Sequence, residues 1–197
     1  MVVFIHSKKE NQIKRGGLMT TPLRRLIILS MSVTILFVQE QVLTFIPNVQ
    51  FTTLLIVLYA TLFKFKENVM IIFVHVILDS LYMGAFNPFY MTPMFIGWVL
   101  IPIVYNTLLN RTKNEVTLAI FALVMGFVYG WVFIPFVMIQ LGMNQVWPYF
   151  LADLPFEIIM ATTNFVTVLW LYQPMYRILS VEIEKLESSL VPLKRHH

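Results

Sequence analysis

Two ionisable residues, His75 and Asp79, lie four positions apart in an otherwise apolar stretch of the sequence. At that spacing both side chains occupy one face of a helix and can hydrogen-bond to each other. An ionisable residue within a membrane helix is a functional hypothesis by default, so the pair could contact a ligand or carry a proton. It could equally form a polar lock between neighbouring helices, and the residue types alone leave these alternatives open.

A second polar set, Asp153, Glu157 and Asn164, occurs near the start of the last long apolar run. Spacings of four and seven place the three side chains in a stripe along one helix face. No Lys or Arg is expected on the same side of the protein, so the carboxylates must face water, a hydrogen-bond donor or a ligand. We predict that the stripe faces the interior of a helix bundle.

Several kinds of chemistry lack the residues that they require. The chain has no cysteine, which excludes disulfides, thiolate nucleophiles and cysteine-based metal sites. His75 and Asp79 lack the second histidine of a zinc-binding HExxH motif, and no Gly-rich phosphate loop is present. The basic residues are not interleaved with aromatic residues, as nucleic-acid binding would favour. We therefore expect no enzyme, no resident cofactor or metal, and no nucleic-acid partner.

The composition is that of an integral membrane protein. Hydrophobic residues make up 58% of the 197 residues and charged residues only 12%, with a mean hydropathy of +0.77. A soluble domain carries about 25% charged residues. The apolar residues also occur in blocks of a size that spans a bilayer.

The distribution of charge predicts the topology. If the chain crosses the membrane six times, all fourteen Lys and Arg residues fall on one side. The positive-inside rule then places both termini in the cytoplasm. Glu40, Asp79, Asp153 and Glu157 fall in the outer halves of the spans, so the outer face is acidic. We expect a multi-pass protein of the bacterial plasma membrane.

The predicted architecture is an all-α, six-helix membrane bundle with a C-terminal amphipathic helix. Residues 1–22 form a basic cytoplasmic leader, 23–173 the six-helix substrate-binding domain, and 174–197 a cytoplasmic amphipathic helix and tail, suited to lie on the membrane or on a partner. The predicted apolar segments are 23–45, 51–63, 69–83, 94–109, 116–140 and 149–172. The second spans only about 20 Å at helical rise, less than the ~30 Å hydrocarbon core. Its outer end could therefore lie below the surface, with a depression above it.

The outer loops and upper helix ends are rich in amide and aromatic residues, which suits a polar or cationic organic ligand. Residues 84–93 and 141–148 are predicted outer loops, and the first could close over a pocket. The residues expected to bind ligand are Asn48, Gln50, Asp79, Tyr82, Asn87, Trp98, Trp147, Asp153 and Glu157. On the first helix, Ser30 and Thr34 form a small-xxx-small pattern that allows another helix to approach closely.

Two passages resemble the substrate-binding S components of energy-coupling factor (ECF) vitamin transporters. They are FIPNVQFTTLLIVLYA at 45–60 and DSLYMGAFNPFYMTPMFIGWVLIP at 79–102. They are similar to the family's "PNV…T…" start of helix two and its "N/D-x-x-x-G…TP…F-x-W" passage. The likeness extends over roughly residues 20–175, together with the predicted size and topology.

The resemblance implies a transmembrane coupling subunit and two cytoplasmic ATPase subunits as partners. It implies ligand capture in an outward pocket, closure by outer loops, and toppling of the whole S component in the membrane. The family's coupling subunit packs on an Ala-xxx-Ala-like patch of helix one, where this chain has Ser30 and Thr34.

The passage from helix two to helix four is most similar to members linked to cobalamin and related corrinoids. A queuosine precursor, pantothenate, pyridoxine or a pyrimidine vitamin are the alternative ligands. Two other classes stay open. One is an autonomous small transporter that uses the carboxylates as a proton or cation path, and the other is a membrane enzyme or assembly factor.

Overall fold

The computed structural model describes residues 21–46, 49–84, 86–109 and 112–188. Within these ranges the chain is helical and has no strand, which confirms the predicted all-α class. The α-helices, numbered α1 to α6, are Thr21–Leu43, Thr52–Leu62, Phe65–Tyr82, Pro88–Leu108, Glu115–Leu141 and Val146–Ser188. The basic leader up to residue 20, the predicted ligand contact Asn48 and the tail from residue 189 lie outside the described residues.

Four of these helices, α1, α4, α5 and α6, are long and apolar enough to cross a membrane. Helix α2 is apolar but has only eleven residues. The surface of the bundle exposes large apolar side chains such as Val124, Ile139 and Trp170, which lipid would cover without the cost of hydrating them. Length and apolarity together indicate a membrane protein.

The short helix α2 is the centre of the bundle. Every residue from Thr52 to Ala60 is buried, so this helix has no broad face toward the surroundings. Its length is only about 17 Å at helical rise, well short of the ~30 Å hydrocarbon core. The residues just before it, Ile46, Val49 and Gln50, line a cavity, which agrees with the depression expected above this segment.

Helix α4 begins six residues before the predicted start, at Pro88 rather than Met94. Asn87 caps the helix by accepting a hydrogen bond from the backbone N–H of Phe89 at 3.0 Å. Proline at the first helical position costs nothing, because its missing N–H would have no intrahelical partner there. The Asn-Pro pair therefore starts a helix, and much of the predicted loop 84–93 is helical.

Helix α6 continues through the predicted boundary at Pro174, as one helix of 43 residues. The predicted sixth span and the C-terminal amphipathic helix are thus a single element. A proline removes one backbone hydrogen bond, and packing on both sides can hold the helix together. Tyr172 is fully buried just before this proline, and Met175, Leu179 and Ile183 pack against the core after it.

The apolar stripe in the C-terminal part of α6 is partly packed against the bundle and partly exposed. Leu179 and Ile183 face Tyr59 and Phe63 across a small apolar cavity of 80 Å³. Ile178 of the same stripe remains exposed. Part of the stripe predicted to lie on the membrane or a partner is therefore covered by the protein's own α1 and α2.

Helices α5 and α6 form the most extensive helix pair of the bundle. A Cβ atom added to Gly126 would lie 2.7 Å from Cα of Ala161. Glycine at this position lets the two backbones approach as closely as small-xxx-small contacts in membrane helices do. This close contact fixes the rotation of α6, and with it the direction of its polar stripe.

The two ends of the bundle differ in charge. We call the end where α1, α3 and α5 finish the acidic end, because Glu40, Asp79, Asp153 and Glu157 lie near it. The opposite end is the basic end, which carries every Lys and Arg of the described residues. There Arg25 of α1 binds Glu67 of α3 through two hydrogen bonds of 2.7 and 2.6 Å.

Candidate functional site

The acidic end contains two neighbouring polar cavities with shared lining residues, and we call them the two lobes of the candidate site. The first, which we call the α1 lobe, has a volume of about 220 Å³ and is lined from α1, α3, α4, α5 and α6. The second, the α6 lobe, has a volume of about 160 Å³. Tyr90, Tyr129 and Met160 line both lobes and separate them.

The α1 lobe is built on three consecutive polar residues at the end of α1, each with a different partner. Gln39 accepts a hydrogen bond from the backbone N–H of Phe51 at 2.8 Å and donates to the hydroxyl of Thr52 at 2.8 Å. It thereby satisfies backbone and side-chain groups at the start of α2, where orphan N–H groups need acceptors. Gln39 therefore holds the short helix α2 in register with α1.

Glu40 and Gln41 connect α1 to α3. The carboxylate of Glu40 lies 3.1 Å from Nε2 of His75, which is buried. The amide of Gln41 donates to Oδ1 of Asp79 at 3.2 Å. Asp79, Glu40 and Gln41 all line the α1 lobe.

The predicted hydrogen bond between His75 and Asp79 does not occur among the described residues. Both side chains do lie on one face of α3, but that face meets the tip of α1, which offers each of them a closer partner. The arrangement is the interhelical lock that the spacing left open as one alternative. The lock also positions two carboxylates at the wall of the cavity, so it does not exclude a role in binding.

The α6 lobe lies between α4, α5 and α6 and contains the other two carboxylates. Asp153 and Glu157, one helical turn apart, both line it. Glu157 is 5% exposed, and its Oε2 has no hydrogen-bond partner among the described residues. A Cβ atom at Gly130 would collide with Oε1 of Glu157, so the absence of a side chain there makes room for the carboxylate.

Aromatic side chains form most of the remaining wall of the α6 lobe. The ring of Tyr129 packs on Trp98 with centroids 4.2 Å apart and on Phe133 at 5.3 Å. Phe133 in turn packs against Tyr90 at 5.7 Å. Tyr90, Tyr129 and Phe133 are thus each packed against another aromatic ring.

Four of the predicted ligand contacts line the cavity, namely Gln50 and Asp79 in the α1 lobe and Asp153 and Glu157 in the α6 lobe. Trp98 is buried behind Tyr129 and lines neither lobe. It can affect a ligand only by supporting the Tyr129 ring.

The other predicted contacts that the structure describes have different surroundings. Tyr82 is largely exposed and packs edge-on against Phe37. Asn87 uses its side chain to cap α4. Trp147 is 66% exposed and stacks on Phe150. None of the three lines either lobe. Asn164, the third residue of the predicted stripe, is buried but lies deeper in the bundle.

Five further residues line the cavity without having been predicted as ligand contacts, namely Tyr90, Tyr129, Tyr149, Glu40 and Gln41. One signal was present for the α6 lobe. Gly126 and Gly130 form a GxxxG pattern, which marks a helix face that closely approaches another helix. That pattern identifies the face of α5 opposite Glu157.

Ser30 and Thr34, the predicted partner contacts, lie on an exposed face of α1. They line a shallow groove together with Leu26, Ile27, Met31 and Ile35. The hydroxyl of Thr34 donates to the backbone carbonyl of Ser30 at 2.9 Å. The Thr34 hydroxyl is thereby satisfied within α1, and the groove presents mainly apolar surface.

No family model, curated protein or solved structure matches this chain. In the part of the chain that the structure describes, no group of three or more His, Asp or Glu side chains could hold a metal ion. The function therefore rests on the geometry of the cavity and on the sequence resemblance.

Proposed function

We propose that this chain is the substrate-binding S component of an ECF-type vitamin importer in the bacterial plasma membrane. The observation that carries the proposal is the two-lobed polar cavity at one end of an otherwise apolar bundle. Its residues come from five of the six described α-helices. A site assembled from so many helices suits capture of a small molecule by the bundle as a whole.

The charge asymmetry supports an outward-facing cavity. All Lys and Arg residues of the described chain lie at the basic end, and the positive-inside rule assigns that end to the cytoplasm. With six crossings, both termini are cytoplasmic and the acidic end faces outward. Ligand then enters from outside, and the bundle carries it inward by toppling within the membrane.

Transport in this proposal needs partner subunits. A transmembrane coupling subunit would pack on the groove around Ser30 and Thr34, and two cytoplasmic ATPases would supply the energy. The exposed, mainly apolar surface of this groove suits a helix of another membrane subunit, because close packing of small residues is what drives such contacts.

The size and charge of the cavity bear on the choice of vitamin. The lobes have volumes of about 220 and 160 Å³, and sites for drug-sized ligands are about 300–1,000 Å³. A corrinoid is much larger than a single-ring vitamin, so the dimensions favour pyridoxine, a pyrimidine vitamin or a queuosine precursor. Pantothenate is an anion, and the acidic lining would repel it.

Reconstitution tests the proposal directly. The purified chain, combined with a coupling subunit and its two ATPases in liposomes, should import a vitamin only when ATP is supplied. Mass spectrometry of small molecules that copurify with the chain identifies which vitamin to use. Uptake of equal rate without the ATPase subunits would contradict the proposal.

The partner contact has its own test. Ser30→Trp would fill the groove on α1, and we expect it to prevent copurification with the coupling subunit while ligand binding is retained. Ile120→Trp is the matched control, because Ile120 is 54% exposed on α5 and lies away from the groove. A complex that survives Ser30→Trp would exclude this face as the interface.

The contact between His75 and Glu40 favours a second candidate function. A buried imidazole 3.1 Å from a carboxylate at the wall of a polar cavity could pass a proton, as ionisable pairs do in membrane transporters. The chain would then be an autonomous proton- or cation-coupled transporter. Proton flux into liposomes that contain only this chain would support it.

A further inference from the structure

The two lobes differ in the groups that face their carboxylates. In the α1 lobe, Glu40 has His75 as a partner and Asp79 has the amide of Gln41. The α6 lobe is lined by Tyr90, Gly126, Tyr129, Gly130, Phe133, Tyr149, Asp153, Phe156, Glu157 and Met160. Two of these are acids and none is Lys, Arg or His, so the α6 lobe supplies no cation of its own.

Glu157 is the residue on which this asymmetry depends most strongly. It is 5% exposed, and its Oε2 has no hydrogen-bond partner among the described residues. A buried carboxylate is stable in its charged form only when a cation or several donors face it.

The walls of the α6 lobe are suited to a particular kind of cation. Tyr90, Tyr129 and Tyr149, with Phe133 and Phe156, surround the two carboxylates. The faces of aromatic rings attract ammonium and other organic cations through their quadrupoles, most strongly where water is excluded. A metal ion would instead require several oxygen or nitrogen ligands, and the described residues contain no group of three or more His, Asp or Glu that could hold one.

We propose that the α6 lobe binds the positively charged head of an organic cation, either a quaternary ammonium group or a single heteroaromatic ring. Asp153 and Glu157 balance the charge, and the tyrosine and phenylalanine rings enclose the head. The volume of about 160 Å³ limits the head to this size. The rest of the ligand extends past Tyr129 and Met160 into the α1 lobe, whose amides and paired carboxylates contact polar groups. This inference deepens the proposed function and rests on it, because it takes the cavity to be the site of the imported ligand.

The first experiment compares cations with neutral molecules of the same shape. The probes are choline with its neutral isostere, in which carbon replaces the quaternary nitrogen, and N-methylpyridinium with toluene. Binding to the full chain in lipid nanodiscs is measured by calorimetry at millimolar probe concentrations. We expect the affinity for each cation to be at least about tenfold higher than the affinity for its neutral isostere.

Two charge-removing variants keep the test interpretable if one of them fails to fold. Glu157→Gln and Asp153→Asn should each reduce the affinity for the cations by about tenfold or more and leave that for the neutral probes unchanged. Glu184→Gln is the matched control, because Glu184 is exposed on the C-terminal part of α6. It should leave the affinity for both kinds of probe unchanged.

Three results would overturn the inference: equal binding of a cation and its isostere, full cation affinity in both variants, or no cation binding at millimolar concentration. These results are distinguishable from failure of the proposed function. A chain that imports a neutral vitamin together with the ATPases refutes only the cation. A chain that binds cations selectively but transports without ATPases refutes only the importer assignment.

Discussion

At the scale of single residues, the α6 lobe depends on two glycines of α5, because their lack of a side chain leaves room for groups of α6. Gly130 faces Glu157, and Gly126 faces the backbone of Ala161 on the same surface of α5. The two glycines are the same residue type, but the groups that they contact differ in how easily they can move. One lies against the movable end of a side chain, and the other against a fixed helix backbone.

We therefore expect Gly130→Ala and Gly126→Ala to have different effects. In Gly130→Ala, the new methyl group displaces the Glu157 carboxylate, so cation binding is lost while the melting temperature changes little. In Gly126→Ala, the methyl group forces α5 and α6 apart, at an overpacking cost of about 1–3 kcal/mol. Thermal unfolding and calorimetry on both variants check this, and similar loss of stability in both would contradict it.

At the same scale, Gln39 is a structural residue next to residues that line the cavity. Gln39→Leu removes its bonds to Phe51 and Thr52 and leaves the start of α2 without an acceptor. The expected cost is about 1–3 kcal/mol of unfolding free energy, measured by thermal unfolding in detergent. Gln140→Leu is the control, because Gln140 is exposed at the same end of the bundle; an equal effect would show that the contacts of Gln39 contribute nothing specific.

At the scale of helices, α1 is tied to its neighbours at both ends. The three glutamine and glutamate residues at its end hold α2 and α3, and Arg25 at its start holds Glu67 of α3. Arg25 also lies over the ring of Phe63, 5.2 Å from its centroid. Helix α1 therefore fixes the short helix α2 between two polar anchors, although α2 itself is almost entirely apolar.

The basic-end anchor predicts a dependence of stability on pH. The hydrogen bonds from Arg25 lower the pKa of Glu67 below its usual value of 4.5. A lowered pKa stabilises the fold at pH values above the unfolded-state pKa, and this contribution is lost as the pH falls through the lower folded-state value. The pair is partly exposed, so its contribution is about 1 kcal/mol or less.

Glu67→Gln should therefore unfold more easily than the wild type at neutral pH, and the difference should vanish in acid. Thermal unfolding at a series of pH values between neutral and below 4.5 measures this. The expected difference at neutral pH is about 1 kcal/mol or less. A difference that is the same at every pH would show that the charge of Glu67 is not what stabilises the contact.

At the scale of the whole molecule, charge and cavity are segregated along the bundle axis. The carboxylates of the cavity lie at the acidic end, and Arg25, Lys66 and Lys185 are among the residues of the basic end. Because the sequence has no cysteine, single introduced cysteines can report the orientation without background. This makes the predicted topology directly measurable.

Gln145→Cys at the acidic end should react with a membrane-impermeant maleimide in intact cells. Lys66→Cys at the basic end should react only after the cells are permeabilised. The cysteine-free wild type is the control for background labelling. Labelling of both positions from the same side would contradict the outward-facing cavity.

Composition and spacing by themselves determined the structural class of this protein and which side chains share a helix face. The apolar blocks predicted a helical membrane protein, since backbone groups in lipid must be satisfied within the segment. Spacings of four placed Asp153 beside Glu157 on one face. These features are local, because helix periodicity fixes which side chains share a face.

The tertiary structure alone decided which partner each of these side chains meets. His75 and Asp79 share a face, but their partners Glu40 and Gln41 lie 35 and 38 positions away in the sequence, and only the packing of α1 on α3 brings them together. Trp98 was expected to contact ligand and is instead the support of Tyr129, because the rotation of α4 against α5 sets which ring faces the cavity. Local sequence determines the face of a helix, whereas the neighbour of that face depends on contacts across the whole bundle.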